Sequence, residues 1–148
     1  SIALSLTDKL DTLVGFFGIE LKPSSSKDPY ALRRSAIGLI RLLLENGKEF
    51  KIRDLINYST LLYHEQKFEF DTKAIQKDLI EFLNDRLKNY MKEKGIKQDI
   101  IEAAISSYNI DQILKIYNKA AVLNKLISKE IGRDVISSYK RVSNILSS

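Results

Sequence analysis

Apolar residues at helical spacing, with few residues to interrupt them, constrain the fold of this chain more than any other feature. Only six glycines and two prolines occur in 148 residues. Between them, apolar side chains recur every three or four positions, which places them along one face of an α-helix. The sequence therefore predicts an all-α fold, a helical bundle of roughly six to seven helices in two packed helical subdomains.

The predicted helices follow one another with short connections. Gly15 and Gly18 are expected to end the first helix and Gly47 the second. The motif FEFD, residues 68–71, alternates apolar and acidic residues and is the one stretch that indicates an extended conformation. We place a domain boundary there, between residues 1–70 and 71–148. The predicted helices cover 2–17, 28–46, 52–64, 71–94, 98–107, 111–130 and 132 onward.

Composition excludes several classes of site. The chain has no cysteine and one histidine, which excludes disulfides, thiolate metal ligands and a cysteine nucleophile, and leaves too few histidines for a multi-histidine metal centre. No apolar run approaches the roughly 18 residues of a membrane span, and the first residues do not resemble a signal peptide. We expect a soluble, cytoplasmic protein without membrane contact. Because it starts at Ser1 within an amphipathic pattern, we expect it to be a piece of a longer chain.

Positive charge is concentrated at the end of the chain. Residues 110–148 contain seven basic and three acidic residues, and therefore carry +4 of the net charge of +5. Arg133, Lys140 and Asn144 fall on one helical stripe, opposite an apolar face that includes Tyr139. On the preceding predicted helix, Lys115 and Lys119 also oppose the apolar face. Two neighbouring helices would then present basic outer faces, either to phosphates or only to water.

The motif KDPYALRR, residues 27–34, predicts a helix start. Asp28 is a suitable N-cap and Pro29 fits the first helical position. Arg33 is expected at the edge of the apolar face, where a guanidinium needs a partner. We predict that Asp8 or Asp11 of the first helix supplies it and forms a structural clamp. Arg34 is expected to point into solvent, as a candidate for contact with a nucleic-acid backbone.

Three segments together resemble one family, the bacterial glycyl-tRNA synthetase beta subunit. Residues 6–45, LTDKLDTLVGFFGIELKPSSSKDPYALRRSAIGLIRLLLE, are similar to its DKLDTLVG helix, KDP-(F/Y)-ALRR loop and apolar helix. Residues 82–105, FLNDRLKNYMKEKGIKQDIIEAAI, resemble its long helix, turn and short helix. Residues 138–148, SYKRVSNILSS, resemble the KRV-x-NI segment of its DALR-type anticodon-binding domain.

The resemblance implies a function. It places the chain in the C-terminal part of a beta subunit, with 1–70 as the end of an HD-like helical core and 71–148 as the anticodon-binding bundle. The implied partners are glycine tRNA and the alpha subunit of an α₂β₂ glycine–tRNA ligase. ATP and Mg²⁺ would serve the whole enzyme, and this fragment would have no cofactor, metal or catalytic residue of its own. The candidate tRNA-binding residues are then Arg133, Lys140, Asn144, Lys115, Lys119 and Arg34.

Two other functions stay open at this point. The chain could be a helical scaffold whose main partner is another protein, with its basic stripes merely solvated. It could also be the remnant of an HD-type phosphohydrolase, since LTDKLDTL resembles the helix that supplies the last aspartate of the HD signature, at Asp8. The histidines and the His-Asp pair of that signature are absent from these residues, so we do not expect Asp8 to bind a metal.

Overall fold

The computed structural model describes residues 1–46 and 50–147, and within them it contains six α-helices and no β-strand. The prediction of an all-α bundle is confirmed. A short 3₁₀ turn, Ile110–Gln112, precedes the last helix. The predicted stop at Gly47 lies outside the described residues. The helices are α1 (Ile2–Gly18), α2 (Leu32–Glu45), α3 (Ile52–Glu65), α4 (Thr72–Glu93), α5 (Gln98–Ser107) and α6 (Ile113–Ser147).

The helices share one hydrophobic core. The central helix is α4, because it packs against α1, α2, α3 and α5. On its buried face, Leu79, Leu83 and Leu87 are almost fully removed from water. Helices on both sides of residue 70 contribute to this core, and the division into 1–70 and 71–148 stays a prediction. None of the helices in the described residues is long and apolar enough to cross a membrane.

The start of α2 differs from the prediction. The helix begins at Leu32, and Pro29 lies in a preceding turn in which the Ala31 amide donates to the Asp28 carbonyl at 3.2 Å. Asp28 still caps the helix, because its carboxylate accepts from the amides of Leu32 at 2.8 Å and Arg33 at 3.0 Å. Asp28 can cap a helix that begins four residues later because Ala31 has a positive φ of 52°. This turn brings the Asp28 carboxylate back to the first amides of α2.

The last two predicted helices are in fact one. Helix α6 is continuous over 35 residues, about 52 Å at 1.5 Å per residue. Gly132 lies inside it and does not end it, because a glycine in a helix interior costs only about 1 kcal/mol relative to alanine. Similarly, Gly15 lies inside α1, which ends at Gly18 as predicted.

Polar side chains tie the N-terminal half of α6 and the turn before it to the bundle. The carboxylate of Asp111 accepts from the Arg53 amide at 3.0 Å and so caps the start of α3. The amide side chain of Asn124 accepts from Lys97 N at 3.0 Å and donates to Gly95 O at 3.3 Å, across the α4–α5 turn. These bonds fix the direction in which α6 leaves the core.

Candidate functional site

The basic residues predicted on two helices lie along a single line on α6. Arg133 follows Lys115 by about five turns at 3.6 residues per turn, so the two side chains leave the helix in the same direction. Lys119, Lys140 and Asn144 lie within about 40° of that direction. We call the set Lys115, Lys119, Lys129, Arg133, Lys140 and Asn144 the basic stripe. It runs for about 44 Å along the helix axis.

The side chains of the basic stripe are exposed, and most of them have no partner among the described residues. Arg133, Lys140 and Lys115 have no ion pair or side-chain hydrogen bond to any residue that the structure describes. Lys119 differs, because its ammonium donates to the Tyr108 hydroxyl at 3.3 Å and lies 5.2 Å from the centre of that ring. Unpaired cations in one exposed row can neutralise a chain of phosphates without first breaking internal salt bridges. Their role in tRNA binding stays a prediction.

Arg34 lies apart from the basic stripe, on α2. Its side chain is exposed, as predicted, and forms no ion pair within residues 1–46 and 50–147. The Arg34 guanidinium is therefore also free to contact a phosphate.

The predicted clamp between Arg33 and the first helix is wrong. The Arg33 guanidinium lies 3.9 Å from the Asp28 carboxylate and also donates to the Ser24 carbonyl. Asp11 instead accepts from the Ser59 hydroxyl at 2.6 Å, and Asp8 is exposed. The helical period correctly predicted the side of α2 on which Arg33 lies. The nearest carboxylate is that of Asp28, five residues earlier in the chain, and not one from α1.

Asp8 and Asp11 line a different feature, an aromatic groove between α1, α3 and the segment that follows α3. The groove has a volume of about 390 Å³, and Phe16, Tyr63, Phe68 and Phe70 form much of its wall. The Tyr63 hydroxyl donates to the Asp11 carbonyl oxygen at 2.8 Å. Burial, and then the nearby negative charge of Asp11, raise the pKa of Tyr63 above its ordinary value of 10.0.

This groove lacks the composition of a metal centre. Among the described residues, no group of three or more histidine and acidic side chains could hold a metal ion. Asp11 is the one other acidic side chain among the described residues that line the groove, and it already accepts from the Ser59 hydroxyl. The geometry around Asp8 therefore does not support the hypothesis of an HD-type phosphohydrolase.

The apolar face of α6 contradicts one expectation. Tyr139 was expected in the core, but 74% of it is exposed, and Val135 and Val142 are 62% and 55% exposed. Every described residue of α6 from Ser128 onward is exposed. The helical period alone gave the apolar face correctly but could not show that α6 extends past the bundle, where no described helix covers that face.

Comparison with known proteins identifies close similarities. A family model described as glycyl-tRNA synthetase beta subunit matches residues 1–106. The glycine–tRNA ligase beta subunits of Dinoroseobacter shibae and Paracoccus denitrificans are 38% and 40% identical to the chain over 99% of its length. That of Clostridioides difficile is 35% identical over 97%. The chain spans 24%, 20% and 20% of the lengths of these three relatives.

Proposed function

The chain belongs to the glycyl-tRNA synthetase beta subunit family, and we propose that this part of the subunit binds glycine tRNA at its anticodon region. This part of the subunit would not itself catalyse the attachment of glycine to tRNA. Its contribution is to hold the tRNA, and the basic stripe of α6 is the surface that does so.

The single observation that carries the proposal is the alignment of the basic stripe. Lys115, Arg133 and Lys140 leave one side of one helix, all exposed and without ion pairs in the described part of the chain. In this mechanism the lysines and arginines neutralise backbone phosphates, which fixes the position of the RNA. Asn144 carries a side-chain amide that can both donate to and accept from the edge of an unpaired base, and such bases are where proteins read RNA sequence.

The proposal extends to the whole enzyme. The complete beta subunit would associate with an alpha subunit as an α₂β₂ glycine–tRNA ligase in the cytoplasm, and the complex would attach glycine to its tRNA at the expense of ATP. The sequence has no Gly-rich phosphate-binding loop and no cysteine. As the family resemblance implies, ATP and Mg²⁺ would bind on the alpha subunit, together with the catalytic groups.

A salt series tests the proposed surface. Binding of the 148-residue chain to glycine tRNA and to a non-cognate tRNA is measured as a function of salt for the parent chain and for Arg133→Ala/Lys140→Ala. Each phosphate contact contributes about 0.7–0.9 to the slope of log K against log salt. Loss of two contacts should therefore lower the slope by about 1.5 and weaken binding of both tRNAs.

The matched control removes the same charge elsewhere. Lys73→Ala/Lys77→Ala deletes two exposed lysines of α4 that form no ion pair with described residues, and it should leave most of the slope intact. Equal losses in both double variants would mean that only net charge matters, and the basic stripe would not be the binding surface. Failure of the parent chain to bind either tRNA would favour a protein-binding scaffold.

A further inference from the structure

The outer part of α6 presents a continuous apolar face that no described helix covers. In the N-terminal half of α6, Ile113 and Ala120 are buried against the bundle, chiefly by α5. The same face continues beyond the bundle as Ile131, Val135 and Val142, which are 48%, 62% and 55% exposed. The face therefore continues an interface that the chain itself already forms.

The spacing of this outer face indicates the shape of its partner. Ser128, Ile131, Val135, Ser138 and Val142 alternate steps of three and four residues, which is the period of a seam between two packed helices. The serines are small, and small side chains between aliphatic ones allow another helix to approach closely. We call these five residues the seam.

The charges near the seam balance one another. From Lys125 to Ser147 the helix carries five basic and two acidic residues. Three of the basic residues belong to the basic stripe, on the side of α6 opposite the seam. The remaining charges, Lys125, Arg141, Glu130 and Asp134, sum to zero, so a partner helix needs an apolar stripe and no excess of either charge.

We propose that the seam packs against the apolar stripe of an amphipathic helix from the remainder of the beta subunit. The related subunits are four to five times as long as this chain, which spans 20–24% of them, so most of such a subunit lies outside these residues. Because the basic stripe lies on the opposite side of α6, burial of the seam leaves Lys115, Arg133 and Lys140 facing outward. The proposal rests on family membership and not on tRNA binding.

Hydrogen exchange compares the seam in two contexts without tRNA. The backbone amides of residues 131–147 should exchange at least about tenfold more slowly in the complete beta subunit than in the 148-residue chain, since a packed helix opens less often. In the complete subunit, Val135→Asp/Val142→Asp should abolish this protection. The control Ser137→Asp/Asn144→Asp adds the same charge on the opposite side and should retain it.

Three results would overturn the proposal. Equal exchange in the chain and in the complete subunit would mean that the seam stays uncovered. Protection that rises with protein concentration would identify a second copy as the partner. A lower melting temperature of the 148-residue chain in Val135→Asp/Val142→Asp, but not in the control, would show that the seam already packs within the chain.

Discussion

Gly15 of α1 lies directly against the phenol of Tyr63 of α3. A Cβ atom at residue 15 would lie 2.6 Å from the Tyr63 hydroxyl oxygen and 3.2 Å from the ring carbon that bears it. The same hydroxyl donates to the carbonyl of Asp11, one turn earlier in α1. The missing side chain at residue 15 is therefore what allows α1 and α3 to approach closely enough for this bond.

Gly15→Ala should destabilise the fold although alanine is the better helix former. Alanine gains about 1 kcal/mol inside a helix, but overpacking costs about 1–3 kcal/mol, and displacement of the Tyr63 hydroxyl costs about 1 kcal/mol more. We expect a net loss of about 1–3 kcal/mol, seen as a lower urea midpoint. In a Tyr63→Phe background the hydroxyl is absent, so the loss should be smaller. An equal loss in both backgrounds would contradict this explanation.

Gly132→Ala should have the opposite effect. No atom lies within 4 Å of a Cβ built at residue 132, and the residue is inside α6. Alanine should therefore favour the helix by about 1 kcal/mol. We expect the amides of residues 133–147 to exchange about fivefold more slowly in the 148-residue chain. Unchanged exchange would mean that α6 does not run as one helix through residue 132.

The start of α2 gives a third prediction. Asp28 accepts from two backbone amides of α2, whereas Arg33 has a partly exposed ion pair at 3.9 Å and one backbone partner. Asp28→Ala should cost about 1–2 kcal/mol, as loss of a helix cap does. Arg33→Ala should cost about 1 kcal/mol or less, because exposed ion pairs contribute little. Chemical denaturation of both variants measures the two losses.

Arg34→Ala is the matched control for this pair. Arg34 is adjacent in sequence, exposed, and without an ion pair in residues 1–46 and 50–147, so its removal should leave the denaturation midpoint unchanged. A loss near 3 kcal/mol for Arg33→Ala would instead be the cost of breaking a buried pair. That result would contradict the partly exposed geometry of the Arg33–Asp28 pair.

The helices could be predicted from the sequence because burial follows their period. Leu6, Leu10 and Leu13 are spaced for one face of α1, and all three are buried. Helix ends were harder to predict, because they depend on small energies. Gly132 does not end α6, because a glycine inside a helix costs only about 1 kcal/mol. The cap at Asp28 acts through a turn in which Ala31 has a left-handed backbone conformation.

The candidate site could be predicted only in part, for a related reason. The helical period correctly placed Lys115 and Arg133 opposite apolar residues. It placed them on two separate predicted helices, however. Only the continuity of α6 puts them in one row. The partner of Arg33 could not be predicted either, because periodicity gives the direction of a side chain and not which neighbouring carboxylate lies within reach.

Tyr63 gives the last prediction, on the pH dependence of stability. Burial and the charge of Asp11 raise its pKa in the folded chain above 10.0. Above that pH the tyrosine of the unfolded chain ionises first, which stabilises the unfolded state. The stabilisation contributed by Tyr63 is therefore complete below about pH 10 and declines as the pH rises through the folded pKa.

Comparison with Tyr63→Phe isolates this effect, because lysines and the other tyrosines titrate in both proteins. At about pH 8 the parent chain should be more stable by about 1 kcal/mol, the value of the hydrogen bond to Asp11. Above about pH 10 the difference should shrink, since only the parent chain has a phenol that the fold keeps protonated. Urea unfolding at both pH values measures the difference. A difference that does not change with pH would mean that the fold leaves the pKa of Tyr63 where the unfolded chain has it.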